Sequence, residues 1–180
     1  MKSSDLRHGD VLLFNWRAHQ SFYELVIRLI TGSQFVHCAI VQDIGVSDGE
    51  TPVSGIVLSC ILEQHQERRC EPVELYRPDK TCSIICMRPK FEPAEFNPDL
   101  VNHAGYNYWA IADSLINHFM HRITLGRWQF KAMLTKLKPE LCDCSQLVAQ
   151  ALCDKEWQTC EPDDLIVDKH FDDLGVIDWS

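Results

Sequence analysis

Six of the seven residues in Phe35-Val36-His37-Cys38-Ala39-Ile40-Val41 are apolar. A run this short that is apolar on alternate positions of both parities buries both of its faces, which places it as a strand in the middle of a sheet. The chain must therefore fold around that sheet. His37 is the exception within the run, and a titratable group buried there needs a partner.

Other segments follow from that frame. Residues 11–14, 55–62, 73–76 and 82–87 are β-branched or aliphatic runs with polar or Gly-containing segments between them, and they read as further strands. Pro89, Pro93 and Pro98 would each interrupt a central ladder and close the strand-rich half. Ser21 and Glu24 form a capping box, with apolar residues at 22, 25, 26, 29 and 30 and a Thr31-Gly32 stop, so this segment is an early helix. Helical periodicity recurs at 108–120, 128–137 and 144–152, and 162–180 reads as short acidic turns. The expected fold class is α+β, an antiparallel strand-rich N-terminal half packed against a helical C-terminal half. With 180 residues and no linker, the expectation is a single domain over 1–180.

Charge and composition exclude several classes of function. Seventeen Lys and Arg against 26 Asp and Glu give a net charge of −9, and no basic run offsets it, so a binder that tracks nucleic-acid phosphates is disfavoured. The most apolar helical stretch, 22–30, is broken by Glu24 and Arg28 and falls far short of the roughly 20 residues a membrane span needs. Residues 1–7 are polar and lack the apolar core of an export signal, so a cytoplasmic location is expected. The nine cysteines are odd in number and several, Cys38, Cys60 and Cys86, lie inside apolar runs. Reduced thiols are expected in preference to a disulfide framework.

Cys144 occupies the most distinctive position, within Cys142-Asp143-Cys144-Ser145-Gln146-Leu147-Val148 at the start of an amphipathic helix. Asp143 suits the N-cap and Gln146 follows it three positions later, as a capping box requires. At a helix start, free backbone N–H groups and the helix dipole favour thiolate over thiol and can hold an oxyanion. The alternative is an ordinary cysteine that happens to begin a helix. For His37 the choice is between a hydrogen-bonded core histidine and a general base able to take a thiol proton and return it to a leaving group. Glu63 ends the run that follows and could orient the imidazole; His65, two residues on along the same strand face, is the alternative third member. Each could equally be a solvated residue at a strand end.

Metal binding is the competing use of these residue types. Cys142 and Cys144 are one residue too close for the usual knuckle, and His118 and His121 do not complete a ligand set, so no metal site is expected and no cofactor is required. The acidic pairs Asp163-Asp164 and Asp172-Asp173 lack the spacing of a calcium loop.

Taken in order, these motifs resemble a known family. Gly9-Asp10 leading into a strand, a helix end at Thr31-Gly32-Ser33, the His37 strand, Gly105-Tyr106-Asn107-Tyr108-Trp109, Asp143-Cys144-Ser145-Gln146-Leu147-Val148 and Pro162-Asp163-Asp164-Leu165 are similar to the motifs of the circularly permuted papain-like amidases, the YiiX-like relatives of the NlpC cell-wall peptidases. The His precedes the Cys, as in the permuted group. The resemblance implies a permuted papain-like, NlpC-type fold with Cys144 as nucleophile, His37 as base and Glu63 as third member. Leu62-Glu63-Gln64-His65 departs from the family's strand end, and a His at that position would itself be NlpC-like. Tyr108 and Ser145 would serve the oxyanion or the substrate.

The expectation is a cysteine hydrolase that cleaves a peptide or isopeptide amide through a thioester, of bacterial or phage type, without metal or organic cofactor. A lipid ester or thioester hydrolase or acyltransferase, and a non-catalytic module carried on a phage particle, are the other readings open at this stage.

Overall fold

The computed structural model describes residues 1–16, 32–35, 37–42, 56–60, 68–72, 82–93, 112–113, 115–116, 119–120, 123–124, 144–152 and 164–179. Its strands are β1 (Val11–Trp16), β2 (His37–Gln42), β3 (Ile56–Cys60), β4 (Arg68–Pro72), β5 (Cys82–Pro89) and β6 (Phe171–Val176). Two α-helices are described end to end, α1 (Cys144–Ala151) and α2 (Asp164–Val167). The six strands form one sheet in the order β4-β3-β2-β1-β5-β6, and every neighbouring pair is antiparallel. The strand carrying His37 lies between β3 and β1, inside the sheet, as its two apolar faces require. The expected helix at 21–31, strand at 73–76 and helix at 128–137 lie outside the described residues.

Alternation sorts β1 and its neighbours onto two covered faces. On one face Val11, Leu13, Cys38, Ile40, Met87 and Phe171 pack with Phe35 and with Cys144, Leu147, Val148 and Ala151 of α1. On the other, Leu12, Phe14, Ala39, Val41, Ile84 and Cys86 pack with Ile177 and the partly buried Met1, Leu6, Leu174 and Trp179. The second face is thus covered by the two ends of the described chain, which are stitched together. Ser3 N–H donates to the Asp178 carbonyl (2.9 Å), and Asp178 N–H donates to the Met1 carbonyl (2.7 Å).

The expected fold class needs correction. A strand-rich N-terminal half packed against a helical C-terminal half, in the permuted papain-like arrangement, is not what is found. The C-terminal tail, expected as acidic turns, supplies the sheet's sixth strand, and α1 and α2 are short, at eight and four residues. The physical reason lies in Phe171-Asp172-Asp173-Leu174-Gly175-Val176. Only Phe171 in this strand is buried, Asp172 and Asp173 face water, and the backbone still completes the outer ladder of β5. An edge strand needs neither apolar alternation nor two covered faces. Between 112 and 123 the described residues are helical, within or next to the expected segment, and Thr124 N–H donates to the Met120 carbonyl (2.9 Å). Among the described residues no helix is long and apolar enough to cross a membrane.

The Gly9-Asp10 pair has a structural task. Gly9 adopts φ +85°, and a Cβ there would lie 2.1 Å from Pro93 Cγ, so both conformation and space call for glycine. Asp10 is fully buried and takes the Arg88 guanidinium in a fork: Nε donates to Oδ1 and Nη2 to Oδ2, both at 2.7 Å. Arg7 N–H also donates to Asp10 Oδ2 (2.8 Å), and Arg88 Nη2 reaches the Asp5 carbonyl (2.9 Å). Meanwhile Gly9 N–H donates to the Val41 carbonyl and Val41 N–H to the Asp10 carbonyl, each at 2.8 Å. One carboxylate therefore ties the start of β1 to the end of β5, while its backbone fixes the far end of β2.

Candidate active site

The site is assembled at the other end of β2. Gly32 has φ +76°, and Ser33 follows it, buried, closing a local turn: its hydroxyl donates to the Phe35 carbonyl (2.7 Å) and accepts from Phe35 N–H (3.0 Å). Phe35 is thereby anchored in the α1-facing core, and the chain enters β2 at His37 with a fixed heading. Phe14, opposite His37 in the β1–β2 register, packs its ring against the imidazole at 5.2 Å between centroids. His37 remains partly exposed.

Cys144 is the first residue of α1 and is 6% exposed. α1 lies across β2 and β3, held by the buried Leu147 and Val148, so its N-terminus meets the start of β2. Strand alternation would turn His37 and Cys38 to opposite faces of the sheet. His37 and Cys38 nevertheless both reach the Cys144 sulfur. The sulfur accepts hydrogen bonds from the Cys38 thiol and from the His37 imidazole, with a further one from the Cys38 backbone N–H. These bonds, the Cys38 thiol foremost, outweigh the cost of burying an anion and hold the Cys144 pKa well below the ordinary thiol value of 9.0; the charge of His37 acts in the same direction.

Cys86 has the opposite environment. It lies on the other face of the sheet, where burial and the neighbouring Asp10 carboxylate push its thiol pKa up despite Arg88. These two buried thiols, one on a strand and one at the start of α1, thus differ sharply in thiolate character, and of the two it is Cys144 that is electrostatically prepared as a nucleophile.

Of the residues singled out in the sequence, Cys144 and His37 are brought together. Ser145 is the second residue of α1, next to the N–H groups that an eight-residue helix leaves without partners in its first turn. β3 runs beside β2 with Ser59 opposite Ala39, so β3 ends near the start of β2. Glu63, His65, Tyr108 and the capping Asp143 lie outside the described residues. Among the described residues no group of three or more His, Cys, Asp or Glu side chains is placed to hold a metal ion.

Cys38 is the residue that the sequence did not reveal, since it reads as a small core hydrophobe. Its signal was its place directly after the candidate base, at the strand start that a helix N-terminus must meet. Replacing it removes the leading stabiliser of the anion. Cys38→Ala is expected to move the midpoint of Cys144 alkylation to higher pH when iodoacetamide rates are followed peptide by peptide across a pH series. An unchanged midpoint would remove Cys38 from the site.

Compared with the profiles of known protein families and with curated protein sequences, the chain gives no match.

Proposed function

We propose that this chain is a cysteine hydrolase of the amidase or peptidase type. The observation that carries the reading is the contact of one sulfur, at a helix start, with an imidazole and a second thiol, in surroundings that favour its anion. The Cys144 thiolate attacks the acyl carbon of a peptide or isopeptide amide. Backbone N–H groups of the first turn of α1 hold the developing oxyanion. His37 gives its proton to the leaving amine, and then takes one from the water that hydrolyses the thioester. The likeness of the Asp143–Val148 motif to the nucleophile motif of the YiiX-like and NlpC enzymes supports this assignment, as does the order of His before Cys.

An activated acyl ester tests the reading without knowledge of the natural substrate. Incubation with p-nitrophenyl acetate is expected to place one acetyl group on Cys144 and to release it again by hydrolysis, with release slowed in His37→Ala. Acetylation spread evenly over the cysteines, or absent from Cys144, would overturn the proposal and favour a non-catalytic binding module. The third member is decided by comparing Glu63→Gln with His65→Ala. The larger loss of turnover is expected for Glu63→Gln, because a carboxylate both fixes the imidazole tautomer and offsets imidazolium charge. A loss confined to His65→Ala would transfer the role to His65.

A further inference from the structure

Two sulfurs on different elements share one site. Cys38 comes from the middle of the sheet and Cys144 from the start of α1; both belong to the same packed cluster, and the Cys38 thiol donates a hydrogen bond to the Cys144 sulfur. Hydrolysis needs only one of them. A thiol in hydrogen-bond contact with a second sulfur is also placed for a different reaction, the closing of a disulfide after the first sulfur is oxidised.

The geometry points to Cys144 and Cys38 as a peroxide-responsive pair, in which a hydroperoxide oxidises the sulfur at the helix start and the strand thiol closes a reversible disulfide with it. In the first step the Cys144 thiolate attacks one oxygen of hydrogen peroxide. The O–O bond breaks, hydroxide leaves, and Cys144 becomes a sulfenic acid. In the second step the Cys38 sulfur attacks the sulfenic sulfur, the S–O bond breaks, and the Cys38 proton leaves with that oxygen as water. The sum is two thiols and one peroxide giving one disulfide and two waters, so the peroxide supplies the whole oxidising equivalent.

Access favours a small oxidant. Cys144 retains 6% exposure and Cys38 none, so a peroxide of nearly water size meets Cys144 first and Cys38 acts only from within. That order assigns the roles: Cys144 is attacked and Cys38 resolves. The depressed pKa of Cys144 supports the same order, since thiolates are the form that peroxides oxidise. Cys86, on the opposite face with its thiol pKa pushed up, is expected to stay reduced. The consequence is protection: oxidation stops at a bond that a dithiol can reopen, before the irreversible sulfinic and sulfonic acids are reached.

The test reads masses and thiols, so it stands or falls apart from any hydrolytic activity. The full chain, reduced and freed of reductant, is treated with equimolar hydrogen peroxide and digested without reduction. A Cys38–Cys144 linked peptide is expected, with Cys144 alkylation lost and then restored by dithiothreitol. In Cys38→Ala, and independently in Cys38→Ser, dithiothreitol is expected to recover about tenfold less Cys144 thiol after excess peroxide, because oxidation runs on to the sulfinic and sulfonic acids. A Cys142–Cys144 bond in the wild type would overturn the pairing. So would over-oxidised Cys144 with Cys38 still free in the wild type, or recovery in both variants equal to that of the wild type.

Discussion

Cys144→Ala loses hydrolysis by about 10⁴-fold or more, in line with removal of a covalent nucleophile, while the far-ultraviolet spectrum and unfolding midpoint stay close to those of the parent. The side chain begins a helix and is small, and alanine favours helix, so little packing is lost. Cys142→Ala is the matched control and retains activity. In the parent, the acid limb of kcat/KM falls below the pH at which an ordinary thiol titrates, because hydrogen bonds to the sulfur stabilise the anion and depress its pKa; anion and activity persist as pH is lowered until that depressed pKa is crossed. Equal loss in the Cys142 and Cys144 variants, or turnover surviving in Cys144→Ala, would dismiss Cys144 as the nucleophile.

The second large effect lies far from the sulfur. Arg88→Met is expected to destabilise the fold by about 3–5 kcal/mol, the scale for breaking a buried ion pair from one side, because Asp10 would keep a carboxylate whose side chain is 1% exposed without the cation that faces it. Asp10→Asn should cost less, since the Arg88 side chain is 23% exposed and can hydrate its freed charge. The double variant should recover part of the Arg88→Met loss, as neither charge is then left alone. Urea unfolding followed by circular dichroism measures all three. A cost under about 1 kcal/mol for Arg88→Met would mean that the fork is no more than a surface pair.

What could be read from the sequence follows the depth of each element in the sheet. β1, β2, β3 and β5 lie between neighbours, and their apolar runs announce them. β4 and β6 form the two edges, and Arg68-Arg69-Cys70-Glu71-Pro72 and Phe171-Asp172-Asp173-Leu174-Gly175-Val176 carry the charge, proline and glycine that edge strands tolerate, so neither looks like a strand. Pro89 misled in the same way. It sits at the end of β5, past the last pairing with β1 at Met87 and opposite Phe171, where its missing N–H breaks no inner ladder. In the site, helix-start chemistry made Cys144 legible and an isolated polar residue in an apolar strand made His37 so. The roles of Cys38 and Asp10 depend on partners remote in the chain, Cys144 and Arg88, which no local pattern discloses.

The seating of β6 bears on how such a chain reaches its native state during synthesis. Its partner β5 is made long before it, and β5 keeps an open outer ladder until Phe171–Val176 leave the ribosome. The contact of the Met1 ammonium with the Val176 carbonyl (3.1 Å) waits on the same event. Closure across such sequence separation is slow compared with local helix formation. A nascent chain halted before β6 would therefore present a bare strand edge to its neighbours on a polysome, and the pairing of β6 completes the sheet and withdraws that edge from aggregation.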